Sequence, residues 1–171
     1  QNQSSAASDV YKRQAEGQKA GCWSLLMTDS EQLKSRVIRS SSCTISIPEL
    51  DLQVNPGSNA TGYVSNVEGV LNRFHEVINM VMRDLQYDVS TRLVENQSVD
   101  LSKTMNEINQ LEGIINRLTN IGEEGFEPFT LEFLDPHGHS MIVDDLAVER
   151  ELTDEEIATL PTGPDPAVFS A

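Results

Sequence analysis

The sequence predicts an α+β fold, a β-rich domain carrying an inserted antiparallel helical hairpin at about residues 65–121. Three observations predict it. Apolar and polar residues alternate around Cys43–Gly57, apolar residues recur at three and four positions through the middle of the chain, and alternation returns after Gly125. A period of two marks a strand with one buried face, and a period of about 3.6 marks a helix with an apolar stripe. A length of 171 residues with 38% apolar content suits one core, so a single domain over residues 15–160 is expected.

Residues 1–14, QNQSSAASDVYKRQ, are polar and carry no apolar period. They read as a non-native leader, with native sequence expected to continue upstream of about Ala15. Trp23 to Arg39 reads as a strand, a turn of helical tendency at Asp29–Lys34, and a second strand at Val37 and Ile38. In CTISIPELDLQVNPG, Ile45 and Ile47 alternate, Pro48 interrupts, and Leu50, Leu52 and Val54 resume with Glu49 and Asp51 between them. Proline has no N–H to give a ladder, so two strand segments joined by a bend at a sheet edge are expected. NPGSNATG then supplies turn residues.

The first helix opens on the S-x-x-E spacing of Ser65 and Glu68, a capping box ahead of Val67, Val70, Leu71, Phe74, Ile78, Val81 and Leu85. The second runs from about Asp100 to Ile121, with Leu101, Met105, Ile108, Leu111, Ile115 and Leu118 on one face and Gly122 as its stop. The link from Asp88 to Val99 allows an antiparallel pair. Met80 and Met82 flank the stripe of the first helix, and one of them must face away from the hairpin core. Packing against the sheet is the first expectation for them, a partner-binding surface the second.

Beyond Gly125, Phe129, Leu131 and Phe133 alternate with Thr130 and Glu132, then Asp135–Gly138 has turn composition and Met141–Val143 returns as a strand. This predicts a β-hairpin. Thr153 with Glu156 predicts a capped acidic helix within Glu151–Leu160, and the proline-rich residues 161–171 are expected to be loose.

A formal charge of −15 and a pI near 4.4 repel phosphate backbones, and no basic patch offsets them, which argues against nucleic acid as a partner. From Gly122 onward thirteen acids meet one base, Arg150, giving a solvated acidic surface or a docking face for a basic partner. No apolar run reaches the roughly 20 residues of a membrane helix, and no secretory signal is legible, so no membrane role and a cytoplasmic setting are expected.

Cys22 and Cys43 each lack a second cysteine two or three residues away, so neither a zinc site nor a disulfide is expected and both read as small apolar residues. His137 and His139 flank Gly138 close to Asp135; an H-x-H pair can present both imidazoles, yet a third ligand is not visible and turn or strand roles come first. His75 reads as a partly buried helix residue. Glu49, Asp51, Glu68, Asp135, Asp144 and Asp145 offer carboxylate pairs for acid–base work, but a chain this acidic contains such pairs by chance. Nucleophile elbow, phosphate loop, G-x-G-x-x-G and H-E-x-x-H are absent from the sequence, and an enzyme is not expected. The alternatives are a small ligand- or metal-binding β-barrel or enzyme using the carboxylates with His137 and His139, and a structural subunit whose hairpin packs in an oligomer of unspecified state.

Three ordered motifs carry a resemblance: I-P-E-L-D, comprising Ile47, Pro48, Glu49, Leu50 and Asp51; N-V-E-G-V-L from Asn66, with Val67, Glu68 and Gly69; and F-T-L…D-P-x-G-x-S from Phe129, with Asp135, Pro136, Gly138 and Ser140. Over roughly Leu33–Leu160 the chain resembles the ZPR-type zinc-finger family, in a single copy like its archaeal branch. The resemblance implies a β domain of double-stranded β-helix or jelly-roll-like character, with the helical hairpin as its insert. It also implies a four-cysteine finger upstream, so zinc is expected there and no cofactor within this chain, whose cysteines do not match C-x-x-C spacing. His139 stands where the family pattern has Asn. In eukaryotes the family is associated with elongation factor one-alpha as a chaperone-like partner. A non-enzymatic protein-binding module with an elongation-factor GTPase as partner is therefore implied, with the motif positions as binding residues.

Overall fold

Strand β1, Gly21–Met27, runs between β6, Phe129–Asp135, and β8, Val148–Glu151, in a computed structural model that describes residues 19–56, 62–95 and 100–161. The expected leader and the tail from residue 162 lie outside the described residues. On its other edge β6 pairs with β3, Thr44–Ile47, and β3 with β4, Leu52–Val54, completing a five-stranded sheet of order β4-β3-β6-β1-β8. A second sheet places β2, Arg36–Arg39, between β5, Tyr63–Asn66, and β7, Met141–Val143. Both sheets are antiparallel.

Alternation in the sequence becomes facing in the structure. Phe129, Leu131, Phe133 and Asp135 are buried along β6 while Thr130, Glu132 and Leu134 are half-buried. Ile45 pairs with Phe133 and Val54, so Ile45, Ile47, Leu52 and Val54 join the same core as Leu25, Met27, Val37 and Ile142. Each such side chain contributes about 1.5–3 kcal/mol when removed from water. The bend expected at Pro48 is a 3-10 turn, Pro48–Leu50, that closes a β3–β4 hairpin, and β4 lies at the sheet edge as Pro48 suggested.

The hairpin predicted over Phe129–Val143 does not form. The turn is present, with Gly138 N donating to Asp135 O at 3.2 Å, but β6 already has β1 and β3 on its two edges. With no free edge on β6, the chain crosses to the second sheet and β7 pairs with β2. Strands β5 and β8 were not predicted. Their burial does not alternate, and all four residues of β8 are exposed, so neither leaves a period-2 signal.

Between β5 and β6 stand the two long helices, α1, Val67–Val94, and α2, Ser102–Thr119, packed against each other. Ser65 is not the cap of α1. Asn66 is the N-cap, its side chain accepting from Gly69 N at 2.8 Å, because Ser65 is still extended in β5. Nor does the link begin at Asp88, since α1 continues to Val94. Val67, Val70, Leu71, Phe74, Val77 and Ile78 are buried in α1, and no residue beyond Ile78 is. Met82 packs against the core and Met80 is exposed, dividing the pair as their spacing requires. The acidic helix α3, Asp154–Thr159, forms with the predicted Thr153–Glu156 capping box. Beneath it Ala20, Cys22 and Leu152 make a small second cluster with Leu134, Ile157 and Leu160.

Candidate functional site

Asp135 is the fourth member of the buried row of β6, which puts a carboxylate where the pattern would place another apolar residue. It is 1% exposed and accepts five hydrogen bonds. Ser40 Oγ and Ser140 Oγ donate to Oδ2, each at 2.7 Å, and Ser42 Oγ donates to Oδ1 at 2.8 Å. The amides of His137 and His139 donate at 2.9 and 3.0 Å. Burial alone would push this carboxyl up, but the donors from Ser40, Ser140, the His137 amide and Ser42 outweigh it and hold it below the usual range. Gly138 supplies the left-handed φ of 68° that lets the turn fold its amides back onto Asp135.

The arrangement joins two crossings. The D-P-H-G-H-S turn carries the chain from the five-stranded to the three-stranded sheet, and Arg39–Ser42 carries it from β2 back to β3. Arg39, itself buried, donates from Nε and Nη2 to Cys43 O at 3.3 and 3.0 Å and lies over the Tyr63 ring. Arg39, Ser40 and Ser42 were not singled out from the sequence, where the S-S-S run before Cys43 was their only trace.

The other two motifs are also corners. Glu49 accepts from Thr130 N at 3.0 Å and Thr130 Oγ1 at 2.7 Å. The β3–β6 register would next set Pro48 against Thr130, so the Glu49 carboxylate extends the ladder where the chain turns away. Burial pushes the Glu49 carboxyl up, and the two Thr130 bonds with the Arg117 charge bring it below its ordinary value. Val67 N donates to Ser35 O at 2.9 Å, and a side chain on Gly69 would strike Ser65 Oγ, which fixes the N-V-E-G run to the end of β5. Of the twelve motif positions, Ile47, Val67, Asp135, Gly138 and Ser140 are buried, while Pro48, Glu49, Asp51, Glu68 and Gly69 are exposed and Leu50 and Pro136 half-buried.

His137 and His139 stack with ring centroids 6.2 Å apart, and Asp135 meets them only through their backbone amides. With its oxygens occupied by five donors and its proton affinity lowered, Asp135 is poorly suited to act as a base for either ring. Among the described residues no group of three or more His, Cys, Asp or Glu could hold a metal. Cys22 lies under α3 and Cys43 in the main core. Burial, the larger cause at both, pushes their thiols up to about 11 and about 12. Zinc needs thiolates, so these two cysteines do not fit a finger.

Two antiparallel sheets enclosing one core, with corners tied by buried hydrogen bonds and a helical pair inserted between β5 and β6, define a jelly-roll module with a helical insert. Residues 31–159 match the ZPR1 jelly-roll domain, and the chain belongs to that family. It is 35% identical over 136 residues to an uncharacterized ZPR1-like protein of Pyrococcus horikoshii, covering 80% of this chain and 54% of that protein. A second uncharacterized ZPR1-like protein, from Methanocaldococcus jannaschii, is 36% identical over 140 residues, covering 81% and 62%. The zinc finger protein ZPR1 homolog of Caenorhabditis elegans is 29% identical over 112 residues, covering 66% and 21%. The chain thus spans roughly half to three fifths of the length of its archaeal relatives.

Proposed function

We propose that this chain is a non-enzymatic protein-binding module that grips an elongation-factor GTPase of the cytoplasm during its folding, with zinc held by a finger outside the jelly roll. The observation that carries the reading is the far half of the helical pair. Past Ile78, α1 exposes Met80, Tyr87, Leu93 and Val94, the last 85% accessible, and α2 adds Met105. Large exposed side chains concentrated on the helical pair favour an interaction surface over a solvated one. Adaptable methionines suit a client whose own surface is not yet fixed. The choice of a GTPase rests on the family resemblance. A non-catalytic role is supported by Asp135, whose carboxylate is taken up in holding two corners together.

The test uses the full-length protein with the purified elongation-factor GTPase of the same host. Association in a pull-down and less aggregation when the GTPase is diluted from denaturant are expected. Met80→Glu with Val94→Glu should weaken both effects while leaving the thermal midpoint in place, because both side chains are exposed. Absence of association together with unchanged refolding would overturn the proposal.

A further inference from the structure

A second surface lies at the I-P-E-L-D corner, where Glu49, Leu50, Asp51 and Leu52 face α2. An open groove of about 680 Å³ runs between that corner and the middle of α2. Leu50, Leu52, Leu111 and Ile114 contribute aliphatic lining, three of them only partly buried, so apolar surface stays accessible. Its volume falls in the roughly 300–1,000 Å³ range of ligand clefts, but its aliphatic lining and open form suit a chain segment better than a small polar molecule.

Two backbone features shape this groove, and one of them, Asp51, also caps the Pro48–Leu50 turn, its N–H donating to Pro48 O at 3.1 Å. Gly113 sits in the interior of α2, where glycine costs about 1 kcal/mol relative to alanine. Among the described residues nothing lies within 4 Å of a Cβ built there, so no packing among them requires the glycine. Its effect is to lower one wall of the groove so that another backbone can approach closely. On the facing rim Asp51 holds the left-handed conformation at φ 51°, ψ 39°, where glycine would be relaxed. The position carries instead a second exposed acid beside Glu49, while Arg117 on the far side is directed to Glu127 and the Pro128 carbonyl.

We propose that this groove docks an extended segment of a partner polypeptide, whose apolar side chains enter between Leu50, Leu52, Leu111 and Ile114 and whose lysine or arginine meets Asp51. Charge complementarity selects the occupant, since Glu49 and Asp51 make the rim beside the turn acidic, and of these two only Glu49 is bonded to Thr130 and acted on by Arg117. The site is separate from the exposed face of α1, so the proposal stands or falls independently of the elongation-factor reading.

The test measures fluorescence anisotropy of a labelled peptide alternating leucine and lysine against one alternating leucine and glutamate. Wild type should bind the lysine peptide about fivefold or more tightly, close to 1 kcal/mol. Asp51→Gly relieves the left-handed strain while removing the charge, and Gly113→Leu strengthens the helix while filling the groove, so neither should lower the thermal midpoint. Each should weaken binding by about fivefold. Glu155→Gln, an exposed acid on α3, should leave it unchanged. The proposal is overturned if the lysine peptide does not bind, if both peptides bind alike, if neither groove variant weakens binding, or if Glu155→Gln weakens it as much as Asp51→Gly.

Discussion

Ser40 and Ser140, one hundred residues apart, are joined directly by Ser40 N donating to Ser140 Oγ at 3.0 Å. They are also joined through Asp135 Oδ2, which both hydroxyls reach at 2.7 Å. The contact ties the β2–β3 crossing to the β6–β7 crossing, two of the places where the backbone leaves one sheet for the other. Strand ladders cannot hold such corners, because the chain there runs between sheets. A buried anion surrounded by donors can, provided every lone pair is used.

Asp135→Asn should therefore cost about 2–4 kcal/mol of unfolding free energy in urea. An amide offers one acceptor oxygen where five donors converge, and its NH2 would face hydroxyls and amides already aimed inward. Ser40→Ala and Ser140→Ala should each cost about 1 kcal/mol, and the double variant less than their sum, because both act on the same oxygen. Equal stability of Asp135→Asn and wild type would contradict this account.

Acid should expose the same group. Asp135 titrates below the ordinary carboxylate range in the native state, whereas in the unfolded chain its value is about 3.9. A depressed native pKa gives stability that is fully present above the unfolded value and lost as pH falls through the native one. The stability gap between wild type and Asp135→Asn should then narrow steadily below about pH 4. A gap that is constant from neutral pH into acid would exclude Asp135 from the acid limb.

Much of this was legible in the sequence, and the failures share a cause. The alternation of Phe129, Leu131 and Phe133 announced β6, but nothing local told that both its edges would be taken, so the following turn read as a hairpin instead of a crossing. Ser65 and Glu68 had capping-box spacing, yet Ser65 pairs with Val37 in a strand the sequence did not reveal, and the cap moved to Asn66. The D-P-x-G-x-S run was visible as a motif. Its partners Ser40 and Ser42 were not, because a hydrogen bond across ninety-five residues leaves no periodic trace.

Gly69 offers a test of a motif residue whose reason is steric. At an ordinary helix position glycine to alanine gains about 1 kcal/mol. Here the added methyl would meet Ser65 Oγ, so Gly69→Ala should be neutral or destabilising in thermal unfolding. In a Ser65→Ala background the same change should become stabilising by about 0.5–1 kcal/mol, since the obstructing oxygen is gone. A gain from Gly69→Ala alone would show that Ser65 swings aside freely.

A chelator should leave the thermal transition of this chain in place. The donor set does not favour zinc, since Cys22 and Cys43 are buried, lie in different clusters and have thiols pushed upward. Structural zinc contributes on the order of 10 kcal/mol to small fingers, so a lost site would be plain in calorimetry. A midpoint lowered by chelator would point to a ligand set that these residues do not form.

The two cysteines should also report different openings. Cys43 belongs to the main core, so alkylation there requires the sheets to part. Cys22 is covered by α3, a helix of six residues with no fully buried side chain, Ile157 being half-buried against the cluster. That helix is held down by the Thr153–Glu156 box and by a two-pronged pair, Arg150 to Glu156, with both contacts at 2.8 Å. Iodoacetamide should therefore modify Cys22 faster than Cys43 under native conditions. Glu156→Gln removes the charge of the pair and weakens the reciprocal cap, so it should speed Cys22 modification severalfold and leave Cys43 at its wild-type rate. Added salt should act in the same direction, because the pair is exposed to screening. Equal rates at both thiols, in both proteins, would mean that α3 opens only when the whole domain unfolds.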